Sequence, residues 1–368
     1  MPRHGNDVPL IHDPLQCMIP YYENVALEFC EDSLPRLLGS VPVTTAVVGL
    51  IEERELAQYQ TIQTNPNSED VKLVSLKDGS SLCSWSIVKK LGEGGFGAVY
   101  LVKDSKGREF ALKAESVDQS VKVLKMEVYV LRELKKKNAK HFCDIVDSGQ
   151  FQNINYIVMT LVGSSLQDLR KMHSKGEGDK LTLGCALSVG MKCLEAIKEL
   201  HEVGYLHRDV KPANYAIDKL DPRKIYLLDM GLCRKYIGRH GEIRKPRWAA
   251  GFRGTIRYAA LSCHVSREQC RKDDLESWLY QQVELTTGSL PWKCFEPDKK
   301  QVALCKEKCR GAASSEMFKD CPEEYAIILR YIDSLIYYKT PDYDKITQLM
   351  RGALIRNNVA EYPYDWEE

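Results

Sequence analysis

The chain has 368 residues, enough to bury one or two substantial cores. Its formal net charge of +1 excludes a global field that would draw it to nucleic acid or to a membrane surface, so any basic patch must be local. The 13 cysteines are odd in number and scattered, with no C-x-x-C pair and no histidine near Cys305 and Cys309; free thiols in a reducing compartment are expected rather than a metal site.

The first residues, Met1-Pro2-Arg3-His4-Gly5, are polar and lack the apolar stretch of a signal peptide. The longest apolar run, Val41 to Ile51, contains threonines and is too short to span a bilayer. The expectation is a cytoplasmic protein, with the nucleus an open alternative, and no membrane or nucleic-acid partner. Residues 1–70 hold no identifiable chemistry. Pro9, Pro14, Pro20, Pro35 and Pro42 interrupt any long element, Glu52 to Gln60 is a short helix candidate, and Thr61 to Asp70 reads as a polar linker. This extension is either a docking or autoinhibitory segment or a partly ordered appendage.

Trp85 to Leu91 alternates apolar and polar residues and predicts a strand. It runs into Gly92-Glu93-Gly94-Gly95-Phe96-Gly97-Ala98-Val99, a G-x-G-x-x-G-x-V string whose glycines let backbone N–H groups approach phosphate oxygens. Alone the string is weak, because dinucleotide-binding folds carry a similar one at a helix start. Here a strand continues through Val102, and the next signal is Phe110-Ala111-Leu112-Lys113, similar to the lysine-bearing strand of protein kinases. On that reading Leu91, Gly92, Gly94, Gly97, Val99 and Ala111 enclose a nucleotide, with Val99 and Ala111 as a roof over a flat base. Lys113 then pairs with the α- and β-phosphates. Val121 to Lys136 predicts an amphipathic helix with Leu124, Val128, Leu131 and Leu134 in one stripe. Glu127, beside the stripe, is the natural partner of Lys113; the alternative is a solvated glutamate.

Asn155 to Met159 is an apolar strand and Thr160-Leu161-Val162-Gly163 the hinge after it. Met159 is expected to wall the pocket, and Thr160 and Val162 to read adenine through main-chain groups. Leu181 to Glu202 predicts a long helix leading into His207-Arg208-Asp209-Val210-Lys211-Pro212-Ala213-Asn214. This is H-R-D-x-K-x-x-N, the catalytic-loop pattern of a protein kinase. Phosphoryl transfer requires a carboxylate near the attacking hydroxyl, a cation on the transferred phosphate and oxygen ligands for magnesium. Asp209, Lys211 and Asn214 supply these in turn. Ala216, in the strand Tyr215 to Ile217, is expected beneath adenine. Ile225 to Leu228 is a buried strand ending at Asp229-Met230-Gly231, with Asp229 as the other magnesium ligand. Met230 stands where kinases usually have phenylalanine; it is apolar and of similar length, so it can fill the same slot.

From Arg234 to Arg257 eight arginines and lysines face Glu242 alone. Such a run is usually a solvated face, but next to a phosphate-transfer site it favours acidic substrates by Coulomb attraction. Thr255 is placed to hydrogen-bond Lys211 and Asp209. Asp274, in Asp273-Asp274-Leu275-Glu276, is expected to accept backbone N–H groups of the catalytic loop from below. Helices and turns continue to about Arg356, and the aromatic tail Tyr362 to Trp366 is expected to pack on them.

From about Leu82 to Glu367 the chain resembles the casein kinase 1 group of protein kinases. Lys113-Ala114-Glu115-Ser116, Gly254-Thr255-Ile256-Arg257-Tyr258-Ala259 in place of A-P-E, Asp273 to Ser277 and Gly288-Ser289-Leu290-Pro291-Trp292 carry the resemblance. Val123 to Val128 and Ala250 to Thr255 are most similar to the tau-tubulin kinase branch. The resemblance implies an α+β, bilobal protein kinase fold over residues 71–368, with a small β-rich lobe at about 82–160 and a larger α-rich lobe beyond. It implies ATP with Mg2+, transfer to serine or threonine of protein substrates, and a preference for acidic or primed sites. Arg257 stands among the anion contacts, with Arg247 and Arg253 as further candidates. A monomer is expected. The rival is a catalytically idle pseudokinase scaffold, although the lysine, aspartate and magnesium-ligand positions are all filled; a small-molecule kinase is a third reading, weakened by the basic segment.

Overall fold

A computed structural model describes residues 74–94, 97–119, 122–174 and 178–367. The expected helix at Glu52 to Gln60, the linker at Thr61 to Asp70, the boundary near residue 70, and Gly95 and Phe96 lie outside them.

Alternation builds the first lobe. Strands β1 (Ser81–Leu82), β2 (Trp85–Gly94), β3 (Gly97–Lys103), β4 (Glu109–Ser116), β5 (Ile145–Phe151) and β6 (Ile154–Met159) form an antiparallel sheet in the order β1-β2-β3-β4-β6-β5. Successive side chains of a strand point to opposite faces. One face, with Ala98, Tyr100, Val102, Leu112 and Ala114, closes over Leu82, Trp85 and Ile87 as a small core. The other, with Val99, Ala111, Ile157 and Met159, joins the main core of the molecule.

Helix α1 (Val123–Lys136) lies between that second face and the turn Met230–Leu232. Being covered from two sides, it buries more than one stripe: Val123, Leu124, Met126, Glu127, Val130, Leu131 and Leu134. Val128, expected inside, is only partly buried, and Met126 and Val130 take the inward places. Lys122 provides no side-chain cap; instead the Leu124 N–H donates to Glu115 Oε2 at 3.0 Å. A carboxylate from β4 thus accepts a helix-end donor that has no partner within the helix.

The second lobe begins with β7 (Val162–Ser165) and α2 (Leu166–Met172) and is built on α3 (Leu183–Glu202) and α5 (Arg271–Thr287). Between these two helices lie β8 (Tyr205–Leu206), β9 (Tyr215–Asp218), β10 (Ile225–Leu227), β11 (Arg234–Lys235) and α4 (Leu261–His264). Two small sheets, β10-β9-β7 and β11-β8, hold the loops between the lobes. Beyond α5 come α6 (Lys299–Lys308), α7 (Ser314–Met317), α8 (Glu323–Asp333) and α9 (Tyr343–Arg356). Helix α5 is buried without a break from Asp273 to Thr286. It approaches α3 closely because Gly190 has no side chain: a Cβ there would lie 2.2 Å from Gln282 Oε1. Trp278 then reaches past it, donating Nε1–H to Gly190 O at 2.9 Å. In the aromatic tail Tyr364 is buried and Trp366 donates to Pro222 O at 3.1 Å. Among the described residues no helix is long and apolar enough to cross a membrane.

At the start of α5 the carboxylate of Asp274 is fully buried. It accepts His207 N–H at 2.7 Å and Arg208 N–H at 2.8 Å, and lies 2.8 Å from His201 Nε2. Burial alone would raise its pKa; the bond to His201 and the backbone donors outweigh that and hold it below the ordinary aspartate value. Asp274→Asn places an amide N–H where an acceptor is needed. It is expected to lower stability by about 2–3 kcal/mol, read as a shifted midpoint in chemical denaturation; a change below about 0.5 kcal/mol would show that the loop does not depend on this carboxylate.

Candidate active site

The strand register sets the upper wall. Gly92 pairs with Val99, and Val99 with Lys113, so these three form one row across β2, β3 and β4. Ala111 pairs with Met159, which in turn faces Ile145. Val99, Ala111 and Met159 share the face turned toward the second lobe. Leu91, at the irregularity between Lys90 and Gly92, is 46% exposed. Thr160 directs its N–H to Asp144 O at 3.1 Å, which leaves only its carbonyl among its main-chain groups for another partner. Val162 pairs with Asp218, and Ala216, buried in β9, pairs with Ser165.

The glycines of the loop differ in kind. A Cβ on Gly92 or Gly94 would meet nothing within 4 Å, whereas one on Gly97 would lie 2.1 Å from the Ala114 carbonyl oxygen. Gly97 is therefore required by strand packing, while Gly92 and Gly94 open onto space.

Lys113 joins the lobes. Its Nζ donates to Glu127 Oε2 at 2.6 Å and to Asp229 Oδ1 at 2.8 Å. Burial opposes the ammonium, but the charges of Asp229 and Glu127 outweigh it and hold its pKa above the ordinary lysine value. In return the charge of Lys113 holds the Asp229 carboxyl down at about 2. Burial raises the Glu127 carboxyl above the ordinary glutamate value, with the charge of Lys113 opposing it.

The catalytic loop is a closed set of bonds. Asp209 Oδ1 accepts Thr255 N–H and Thr255 Oγ1–H, each at 2.8 Å, and Oδ2 accepts Lys211 Nζ at 2.7 Å. Lys211 also donates to Thr255 Oγ1 at 2.9 Å. Asn214 donates its amide nitrogen to Asp209 O at 2.9 Å, which leaves the side-chain oxygen for another partner. Leu228 ties Asp229 to this loop: its N–H donates to Asn214 O at 2.8 Å and its carbonyl lies 3.0 Å from His207 Nε2. Two non-glycine residues in the left-handed region, Arg208 (φ 70°) and Asp229 (φ 62°), flank the set. Gly254 (φ 99°) meets it from the far side, where a Cβ would lie 2.5 Å from Arg208 O.

The three candidate anion arginines are differently engaged. Arg247 is paired with Glu268, which also holds Arg234 at 3.1 Å. Arg257 places Nε and Nη2 on Glu296 at 3.1 and 2.6 Å, and Nη1 on Glu284 at 3.2 Å. Arg253 donates to Phe252 O, and among the described residues no carboxylate lies within ion-pair distance of it. Burial, with Arg247 nearby, lowers its pKa.

Several supporting residues were given no role by the sequence. Glu115 caps α1, Glu284 accepts Tyr258 OH at 2.6 Å, and the buried Lys306 donates to Ile256 O at 2.8 Å and Ala259 O at 2.7 Å. The partners of Glu284 and Lys306 are distant in sequence, so no local spacing marks those two.

Residues 85–354 match the protein kinase domain. A probable serine/threonine-protein kinase of Dictyostelium discoideum is 36% identical over 288 residues, covering 77% of this chain and 56% of that relative, so the chain spans little more than half of its length. The serine/threonine-protein kinase spe-6 of Caenorhabditis elegans is 35% identical over 295 residues, 78% of this chain and 76% of the relative. A putative casein kinase I of the same nematode is 33% identical over 309 residues, 81% and 88% of the two chains.

Gly97→Ala is expected to lower stability by about 1–3 kcal/mol, because a carbonyl oxygen fills the place of the new methyl group. Gly94→Ala should leave stability within about 0.5 kcal/mol and act, if at all, on nucleotide affinity. Urea denaturation of the two variants checks this; equal losses would refute the distinction.

Proposed function

We propose, from the premise that this chain belongs to the protein kinase family and is a protein serine/threonine kinase, that it is an active enzyme of the casein kinase 1 group, near its tau-tubulin kinase branch, using ATP with Mg2+. The observation that supports activity most directly is the continuous set of bonds from Glu127 through Lys113 to Asp229, beside the Asp209–Lys211–Thr255 cluster.

Each residue then has one task. Lys113, held from both sides, receives the α- and β-phosphates. Leu91, Gly92, Gly94, Val99, Ala111, Met159 and Ala216 line the nucleotide site, with Thr160 and Val162 contributing main-chain groups. Asp209 orients the serine or threonine hydroxyl and takes its proton as the oxygen attacks the γ-phosphorus. The bond from that phosphorus to the β–γ bridging oxygen breaks and ADP leaves. Lys211 neutralises charge on the transferred phosphoryl group.

The chain's own groups fit a hard divalent cation. Asn214 and Asp229 offer oxygen donors, and Asp229 is ionised with a side chain 44% exposed. Two protein oxygens suit magnesium, which takes its remaining ligands from phosphate and water. When bound, the ion supplies positive charge to the phosphate oxygens.

We further infer that residues 71–368 are the catalytic domain and 1–70 a separate extension, that the protein acts as a monomer in the cytoplasm, and that the basic segment Arg234 to Arg257 favours acidic protein substrates. No feature of the site favours an idle scaffold.

Incubation with Mg-ATP should label casein or an acidic serine peptide. Asp209→Asn should lower kcat by a factor on the order of 10^2–10^4, with the thermal midpoint measured alongside. Labelling by that variant at the parent rate would defeat the assignment.

A further inference from the structure

The basic segment is counted as an anion-reading surface because its cations are local and its carboxylates are not. Arg257 follows the catalytic set closely in sequence: Thr255, two residues before it, bonds Asp209 through both its N–H and its hydroxyl. A guanidinium there is well placed to take a phosphate already present on the substrate. It is occupied. Glu296, from the loop between α5 and α6, covers the Nε and Nη2 edge with both carboxylate oxygens, at 3.1 and 2.6 Å. Glu284, fully buried on α5, takes Nη1 at 3.2 Å. Trp292, a few residues before Glu296, donates Nε1–H to Arg257 O at 2.8 Å and fixes the backbone beneath the pair. A carboxylate set in two parallel N–H···O bonds is the geometry in which arginine also binds phosphate.

We propose that Glu296 is a specificity-determining residue, an internal carboxylate that occupies the Arg257 fork and closes it to phosphorylated substrates. The enzyme therefore reads acidic, unprimed sequence, and Arg253 is the arginine of the three left to meet it. The inference rests on the kinase reading above for its meaning, but not for its test.

The physical reason is competition at one fork. Glu296 is attached to the same chain and needs no association step, so its effective concentration at Arg257 exceeds that of any dilute peptide. The Glu296 hydrogen bonds hold the Arg257 guanidinium firmly in its charged form. A phosphoserine must displace that carboxylate and leave it near the incoming dianion, which adds like-charge repulsion to the lost bonds. An unprimed peptide meets no such barrier, since it does not need the fork.

The test is direct binding, which does not depend on turnover. Fluorescence anisotropy is measured for acidic serine peptides that carry one phosphoserine, scanned through the flanking positions, and for their unphosphorylated counterparts. The proteins are the full chain, Glu296→Gln, Arg257→Gln and the double variant. The parent protein is expected to bind each phosphopeptide within about threefold of its counterpart. Glu296→Gln should raise the ratio roughly tenfold or more at one position, the size of one charge-assisted hydrogen bond, and adding Arg257→Gln should abolish the gain. A parent protein that already prefers a phosphopeptide tenfold, with Arg257→Gln removing the preference, would overturn the proposal, as would a folded Glu296→Gln with an unchanged ratio. If Glu296→Gln does not melt cooperatively, the parent and Arg257→Gln decide alone: the ratio must be the same in both. Absence of labelling with Mg-ATP would count against the kinase reading and leave these binding ratios to be judged as they stand.

Discussion

A single ammonium group ties the two lobes of this kinase together. Lys113 belongs to the upper sheet, Glu127 to the helix beside it and Asp229 to the lower lobe, and both carboxylates lie within 2.8 Å of its Nζ. At an effective dielectric near 20, unit charges about 4 Å apart interact by roughly 4 kcal/mol. Each contact is thus large beside the margin by which a domain is stable. Removing the lysine charge would leave two carboxylates facing each other across the cleft, and the position of α1 with them. The same accounting explains why the site suits its ligands. One ammonium does not balance two carboxylates, so the trio keeps an excess negative charge, which the divalent cation and nucleotide that protein kinase domains use in general would offset.

Around that bridge, irregular segments are held by buried carboxylates rather than by secondary structure. A loop inside a protein carries N–H groups that neither sheet nor helix can satisfy, and each unpaired one is costly. Asp274 takes two from the catalytic loop, Glu115 one from the start of α1, and Glu276 takes Leu261 N–H at 2.9 Å at the start of α4. Glu268 does related work on side chains, pairing Arg234 and Arg247. Two cations of the basic run are thereby drawn to a carboxylate already in the chain.

What was legible in the sequence follows from this division. Period-two alternation marks β2 because Trp85 and Ile87 face the small core and their neighbours face solvent, whereas β6 reads as a continuous apolar run because it divides its residues between two cores. The edge strands β1 and β5 were not foreseen; β5 buries no residue fully, so its pattern is weak. The reactive side chains were legible because phosphoryl transfer demands particular groups at short, fixed spacings, as in His207 to Asn214. So were three partners that restrain them: Glu127 on Lys113, Thr255 on Lys211 and Asp209, and Asp274 beneath the catalytic loop. Glu284, Glu296 and Lys306 were not legible, since they act on residues far along the chain and no local spacing signals such a contact. For the same reason the basic run looked freer than it is: Glu268, Glu284 and Glu296 all lie beyond its C-terminal end. Gly97 shows the converse, a motif residue whose requirement comes from the Ala114 carbonyl rather than from a ligand.

Met230 is where the departure from the common kinase pattern can be weighed. Its side chain is buried, with Sδ 3.7 Å from Cys233 Sγ, so the slot beneath α1 is filled by a flexible, sulfur-lined contact in place of a ring. A phenylalanine there would contribute shape and apolar area, but no hydrogen bond. The polar contact at this turn comes from Asp229, which accepts Lys113 Nζ at 2.8 Å whatever the side chain at 230. Gly231 keeps the turn close under the helix, since a Cβ on it would lie 3.1 Å from Val123 Cβ. The placement of Asp229 against Lys113 thus depends on the path of the main chain and on the ion pair, and methionine need only fill volume. That is why a flexible apolar side chain can stand beside a carboxylate whose position the ion pair sets.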